Sequence, residues 1–221
     1  PATSKASNQT LYICKIYVTF EANQLRKYVP NFEFFHRSEN EFIETFDFSR
    51  RQKCNGGIAI MWNAEIDSKI TPLDIGNERI QAVVINSEPH RICLINVYLP
   101  AQKDLSRLQM YRMHVDMLGE VIEATRCMRH LIIGDFNGSL IRSNPHDKAL
   151  QKFVNEETLQ TVSSHKMTYF GHNECQSQID YAMADDETLL AKYIIHDQKA
   201  NNTSTHTIIS VHPSIHLQSS K

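Results

Sequence analysis

The sequence predicts an α/β (or α+β) sandwich, and three observations predict it. Short apolar, strand-like runs recur along the chain, and stretches with apolar residues at steps of three and four stand between them. No internal repeat, low-complexity block or Pro/Gly/Ser-rich linker divides the 221 residues. They read as a single domain with enough chain to build a real core.

Residues 1–10 are small and polar and lack the apolar stretch of a signal peptide, so a disordered tail is expected there. The domain is expected over residues 11–212, with a C-terminal tail over 213–221. Residues 11–20 are apolar and β-branched enough to pair in a sheet. Residues 56–62 (GGIAIMW), 79–85 (RIQAVVI) and 92–99 (ICLINVYL) follow as strands. The turn-like Asn86-Ser87-Glu88-Pro89 separates the last two, and the short spacing predicts one antiparallel sheet. Leu108, Tyr111, Val115, Leu118 and Ile122 then form one apolar stripe of a helix, which Gly119 weakens slightly. Residues 130–133 are a short buried-type strand ending in Gly134-Asp135-Phe136-Asn137. A second helix is expected over 148–159, with Leu150, Phe153, Val154 and Leu159 inward, and two late strands over 179–184 and 207–211.

Composition narrows the function. Hydrophobic residues at 41% and charged residues at 22% are ordinary for a globular chain. No run of about 18 apolar residues exists, so no membrane-spanning helix is expected. A net charge of -2 argues against tight non-specific nucleic-acid binding driven by counterion release, although a metal-dependent site is itself acidic. The five cysteines are odd in number, widely spaced and without a C-x-x-C pair. That argues against zinc and for reduced thiols in a cytosolic or nuclear compartment.

Four short segments carry candidate chemistry. Asp135 and Asn137 leave the end of a buried strand two residues apart, so in an extended chain they face one pocket and can hold a water, a phosphate oxygen or a metal. The same residues equally suit a turn, with Asn137 in the left-handed region before Gly138. Asn96 and Tyr98 share a strand face, and Tyr98 either donates to a phosphate oxygen or is an ordinary strand aromatic stopped by Pro100. Asp180 lies in an apolar run, where a carboxylate needs a partner. His206 can be that partner in an acid/base dyad, or one more structural histidine among eleven.

Taken together, GGIAIMW, ERIQAVVI, INVYLP, IIGDFN, SQIDYAM and TSTHTIISV run in the order and spacing of the endonuclease/exonuclease/phosphatase superfamily. The chain resembles the apurinic-type endonuclease domains of non-LTR retrotransposons over residues 55–211, more weakly back to 11. The resemblance implies a four-layer sandwich of two packed, mostly antiparallel sheets flanked by helices. It implies hydrolysis of DNA phosphodiester bonds, water attacking phosphorus and the 3′ oxygen leaving, assisted by Mg²⁺ or Mn²⁺. It further implies that Tyr98 contacts the scissile phosphate, Asp135 positions or deprotonates the water, and Asn137 binds a phosphate oxygen. Asp180 would orient His206, and His206 would stabilise the charged transition state.

Three departures from the family pattern bear on activity. The first family strand, W-N-x-x-G-L, has no counterpart, so a neighbouring sheet position is expected to be empty or filled by a partner chain. Tyr17 stands where the metal-binding glutamate of Q-E-T belongs, with Glu21 four residues on as a substitute ligand beside Asp135 and Asn137. Ser204-Thr205-His206 replaces S-D-H. Magnesium prefers hard anionic oxygens, so weak or absent metal binding and impaired cleavage are expected. A non-catalytic pseudo-nuclease that binds nucleic acid or protein is the alternative reading, and a phosphatase on the same fold is the third. DNA is the expected partner, and no membrane is.

Overall fold

The computed structural model describes residues 11–16, 31–38, 57–101, 105–162, 164, 166–171, 175–197, 204–213 and 215–217. A six-stranded sheet forms its centre. In spatial order it contains β4 (Ile70–Asn77), β5 (Ile80–Ile85), β7 (Ile92–Tyr98), β8 (Arg129–Asp135), β12 (Asp180–Ala184) and β9 (Gln160–Thr161). Every pairing is antiparallel except β7 with β8. A parallel pair needs a long crossover, and the helix α1 (Leu105–Ala124) provides it.

Both faces of this sheet are covered, and alternation along the strands sorts the side chains. Ile80, Ala82, Ile95, Val97, Ile132 and Met183 pack against Tyr111, Val115 and Leu118 of α1 and Leu150 and Phe153 of α2 (Pro145–Glu156). Val83, Ile85, Ile92, Leu94, Leu131 and Ala182 face the other way, onto Ile60 and Trp62 of β3 (Gly57–Asn63). Hence β5 is buried at every position, and β7 at every position but Tyr98. The second sheet is three-stranded, with β3 between β1 (Leu11–Ile16) and β2 (Phe32–Ser38), both antiparallel to it. Two sheets in contact, with helices on the outer face of the larger one, make an α/β sandwich.

The expected pairing of residues 11–20 is observed over β1, in register from Leu11 with Trp62 to Ile16 with Gly57; residues 17–20, Tyr17 among them, lie outside the described residues. So do Glu21 and the tail expected over 1–10. The segment expected as a tail from 213 supplies β15 (His216–Leu217), which pairs with β6 (Ser87–Glu88).

One expectation is corrected. GGIAIMW does not continue into a single sheet with the next two strands; β3 belongs to the three-stranded sheet and faces β5 and β7 across the seam. The strand beside β5 is β4, whose Pro72, Asp74 and Gly76 mask it in sequence and are tolerated because β4 is an edge. The second helix also begins earlier than its apolar spacing suggested. Asn144 caps it in a reciprocal box with Asp147, with Pro145 in the first turn. Among the described residues, no helix is long and apolar enough to cross a membrane.

Candidate active site

Sheet register brings three strand ends together. Tyr98 ends β7 and pairs in parallel register with Asp135, which ends β8. Asp180 begins β12 and pairs in antiparallel register with the same Asp135. Register partners project to the same face, so these side chains gather at one end of the seam between the sheets. Gly134 permits the close approach of β7 and β8 just behind them. Its φ is +150°, and a Cβ there would collide with the Val97 carbonyl.

His206 arrives from a different part of the chain. It bridges to Tyr169, the first residue of β10 (Tyr169–Phe170), which itself pairs with β11 (Gln176–Ser177). Phe170 N–H donates to the Thr205 carbonyl at 2.7 Å, and Thr207 N–H to the Thr168 carbonyl at 2.8 Å. These bonds fix the backbone on both sides of the histidine. The Tyr169 ring meets the imidazole edge-on at 5.1 Å. Nδ1 of His206 then lies 3.0 Å and 3.2 Å from the two carboxylate oxygens of Asp180. An ionised carboxylate only accepts, so Nδ1 carries the proton and Nε2 presents the lone pair in the neutral ring. Nε2 faces Asp135 Oδ2 at 4.0 Å, beyond hydrogen-bond length.

The five predicted side chains are brought together, and the pairing of Asp180 with His206 is as expected. Asn137 reaches the site by another route than the one expected. It is not the next residue of an extended strand, for its φ is 47°. Its N–H donates to Asp135 Oδ1 at 2.9 Å, and its Nδ2 donates to the Leu99 carbonyl at 2.8 Å. The turn reading is the one observed, with Asn137 in the left-handed region and its amide held by the Leu99 carbonyl. Tyr111 supports this loop, its hydroxyl donating to the Phe136 carbonyl at 2.9 Å. Burial, then Asp147, pushes that phenol far above its ordinary range, so it stays a neutral donor. Asn96 has a structural duty instead, its amide donating to Ala59 O of β3 at 3.0 Å.

Three contributors were missed. Buried Thr168 accepts the backbone N–H groups of both Ile179 and Asp180 at 3.0 Å through Oγ1. Tyr169 braces His206, and Arg79 lies over the Tyr98 ring at 5.0 Å. The Thr-Tyr-Phe run at 168–170 and the Arg79 that opens RIQAVVI were in plain view. No periodicity distinguishes them from ordinary strand residues.

Asp135, Asp180 and His206 each offer a ligand atom, all within 4.8 Å of one another. The donor set nevertheless suits a divalent ion poorly. Both oxygens of Asp180 lie within hydrogen-bond distance of Nδ1, which leaves Asp135 as the carboxylate on the pocket side among the described residues. Magnesium binds through several hard oxygens in near-ideal octahedral geometry. The residue before His206 is the exposed Thr205, a neutral hydroxyl.

The two packed sheets have the endonuclease/exonuclease/phosphatase fold. No protein-family model matches the sequence, and no curated protein matches it. Similar solved structures include the endonuclease domain of TRAS1, a telomere-specific non-LTR retrotransposon, with 14% identity over 95% of this chain and 86% of that one, TM-score 0.65. Another is the 3′ phosphatase NExo from Neisseria bound to product DNA hairpin, with 13% identity over 92% and 88% and TM-score 0.67. A third is an AP endonuclease from Archaeoglobus fulgidus, with 12% identity over 92% and 88% and TM-score 0.63. At these identities the likeness is one of fold.

Proposed function

We propose that this chain is a phosphodiesterase domain of the retroelement-endonuclease kind, acting on DNA with impaired activity. The observation that carries the reading is the Asp180–His206–Asp135 arrangement, with the imidazole fixed at Nδ1 and its other nitrogen 4.0 Å from a second carboxylate. That gap suits a phosphate oxygen or an attacking water between the two groups. Asp135, its Oδ1 held by the Asn137 N–H, orients the water and takes its proton through the other oxygen. His206, oriented by Asp180 behind Nδ1, turns Nε2 toward the oxygen where negative charge develops. Asn137 and Tyr98 position the phosphate. Two of the named neighbours, a retrotransposon endonuclease and a phosphatase bound to a DNA hairpin, point the same way on substrate class. Cys93, Cys127 and Cys175 are free thiols, in keeping with a cytosolic or nuclear site of action.

Impairment follows from Tyr17 and Thr205 standing where the resemblance expects carboxylates, which leaves Mg²⁺ or Mn²⁺ weakly held or unbound. The same two residues favour the second reading, a pseudo-nuclease that binds nucleic acid without cutting it. Plasmid nicking in Mg²⁺, Mn²⁺ and chelator, with Asp135→Ala as control, tests the reading. Each lost charged contact removes about 3 kcal/mol of transition-state stabilisation, roughly a hundredfold in rate. Little nicking is expected from the unmodified chain, with a substantial gain when Tyr17→Glu is combined with Thr205→Asp. Robust Mg²⁺-dependent nicking abolished by Asp135→Ala would refute the impairment. No gain from the paired substitutions would favour the binding module.

A further inference from the structure

Resting on that reading of the site, we propose that Thr168 is the positioning residue of the Asp135–Asp180–His206 set: its buried hydroxyl and its own peptide groups hold the three in register. Thr168 is fully buried, so it meets no substrate and acts through the residues it holds. Its Oγ1 accepts the N–H groups of Ile179 and Asp180, both at 3.0 Å. Successive N–H groups of an extended strand point to opposite edges, so two that converge on one oxygen mark a bend. The bend lies where β12 starts, and β9 pairs with β12 at Met183 and Ala184, short of Asp180. Thr168 supplies an acceptor at that strand start, and buried N–H groups need one.

The other two members are tied to the same residue. Thr207 N–H donates to the Thr168 carbonyl at 2.8 Å, which fixes the residue after His206. Phe136 N–H, which follows Asp135, donates to the Ile179 carbonyl at 2.8 Å. The peptide between Ile179 and Asp180 is therefore pinned on both sides, its N–H by Thr168 and its carbonyl by the residue after Asp135. The Asp180 side chain leaves from that pinned peptide, and its two carboxylate oxygens lie 3.0 Å and 3.2 Å from His206 Nδ1. Thr168→Val keeps the shape of the side chain and removes the acceptor. Two buried donors then lose their partner, and the peptide must move to find another. Asp180 moves with it, and its hold on Nδ1 loosens.

The test reads the imidazoles rather than the reaction, with His130 as an internal control. His130 Nδ1 meets Asp185 at 2.8 Å near the start of β8. The ring nitrogens are detected by NMR through the carbon-bound ring protons, on the alkaline side of the ordinary histidine range, where their shifts report which nitrogen carries the proton. In the unmodified chain both rings are expected to hold it on Nδ1. In Thr168→Val the His206 nitrogens should move toward the averaged values of a free imidazole while those of His130 stay. Thr168→Ser, which keeps the oxygen, should restore the original pattern. Unmoved His206 nitrogens in folded Thr168→Val would overturn the proposal and leave Thr168 as a packing residue. If that variant does not fold, Thr168→Cys decides: its sulfur is a weak acceptor, so a partial move supports the proposal and none overturns it. Nicking by the Tyr17→Glu, Thr205→Asp protein, with and without Thr168→Val, separates the proposal from the reading it rests on. A fall in kcat of roughly tenfold or more at little-changed KM supports both. Displaced His206 nitrogens with nicking unchanged would keep the positioning and sink the catalytic reading of the pair. If that protein does not nick, the ring nitrogens alone decide.

Discussion

Strand β8 has an aspartate–histidine pair near each end, and the two pairs differ in what faces the second ring nitrogen. Near its start, His130 Nδ1 meets Asp185 Oδ2 at 2.8 Å and Nε2 meets Thr125 Oγ1 at 2.9 Å. Thr125 hydroxyl in turn lies 2.7 Å from the Val121 carbonyl of α1, and His130 N–H donates to Asp185 Oδ1 at 2.9 Å. Fixed protein groups surround that imidazole, with 4% of its side chain exposed. Where β8 ends, His206 has the same kind of carboxylate on Nδ1, its Nε2 lies 4.0 Å from Asp135 Oδ2, and 16% of the side chain is exposed. An aspartate behind a histidine therefore does not make a catalytic group. The contrast to test is whether the other nitrogen is held by the fold, as in His130, or serves the substrate, as proposed for His206.

The largest expected effect separates the two pairs. His206→Ala should remove whatever cleavage the chain has, a hundredfold or more, and move the urea midpoint little. His130→Ala should do the reverse. It breaks a buried hydrogen-bonded pair at a strand start and should lower stability by about 3 kcal/mol, with cleavage per folded molecule preserved. Loss of activity in His130→Ala at unchanged stability would break the comparison.

Gly134→Ala should come next. The new methyl collides with the Val97 carbonyl at a φ of +150°, so β7 and β8 must separate where Tyr98 and Asp135 sit. A loss of about 2–4 kcal/mol, together with activity, is expected from strain of this kind. Thermal melts and nicking on one preparation would check it, and a silent substitution would show that the register there is looser than described.

A third histidine sharpens the contrast through pH. His146 is 1% exposed, stacks edge-on with Tyr111 at 4.6 Å, and neither of its ring nitrogens has a hydrogen-bond partner. Burial lowers its pKa; Asp147 pulls the other way and Arg112 adds to the lowering. A base whose folded pKa is depressed binds its proton better in the unfolded chain. Stability should then fall as pH drops below about 6.5, by up to roughly 1.4 kcal/mol per unit until the folded pKa is reached. His146→Phe should flatten that slope between pH 7 and 5, and an unaltered slope would assign the acid sensitivity elsewhere. Because Tyr111 also holds the Phe136 carbonyl, the acid effect should reach the Asp135–Asn137 turn.

The smallest effect concerns the second sheet. Among the described residues, β3 is the strand that pairs with β1. We expect another strand, from this protein or a partner chain, to complete the sheet beside it. Amide protons of residues 11–16 that point to β3 should be protected, and their alternates should become protected only when that further strand is in place. Rapid exchange throughout the segment would count against any stable pairing there.

The sequence by itself determined the central strands, both helices and the candidate chemical set. Near-continuous apolar runs marked β5, β7, β8 and β12, because a strand covered on both faces must be apolar throughout, and the stripe of Leu108 to Ile122 marked α1, which buries one face only. Asp135, Asp180 and His206 stood out because polar groups at strand ends and in apolar runs need an explanation. Tertiary structure decided the rest. Nothing local tells GGIAIMW which of two sheets to join, since either burial satisfies the same apolar pattern. The edge strand β4 was hidden by Pro72 and Gly76, which only an edge tolerates. Arg79, Thr168 and Tyr169 act by what they touch across 19, 12 and 37 residues of chain. Contacts at that separation come from register and packing, and a one-dimensional pattern does not contain them. The two aspartate–histidine pairs of β8 show the same limit: their residues are alike in sequence, and their exposure and the distance from the second nitrogen to its neighbour, which only the fold supplies, set them apart.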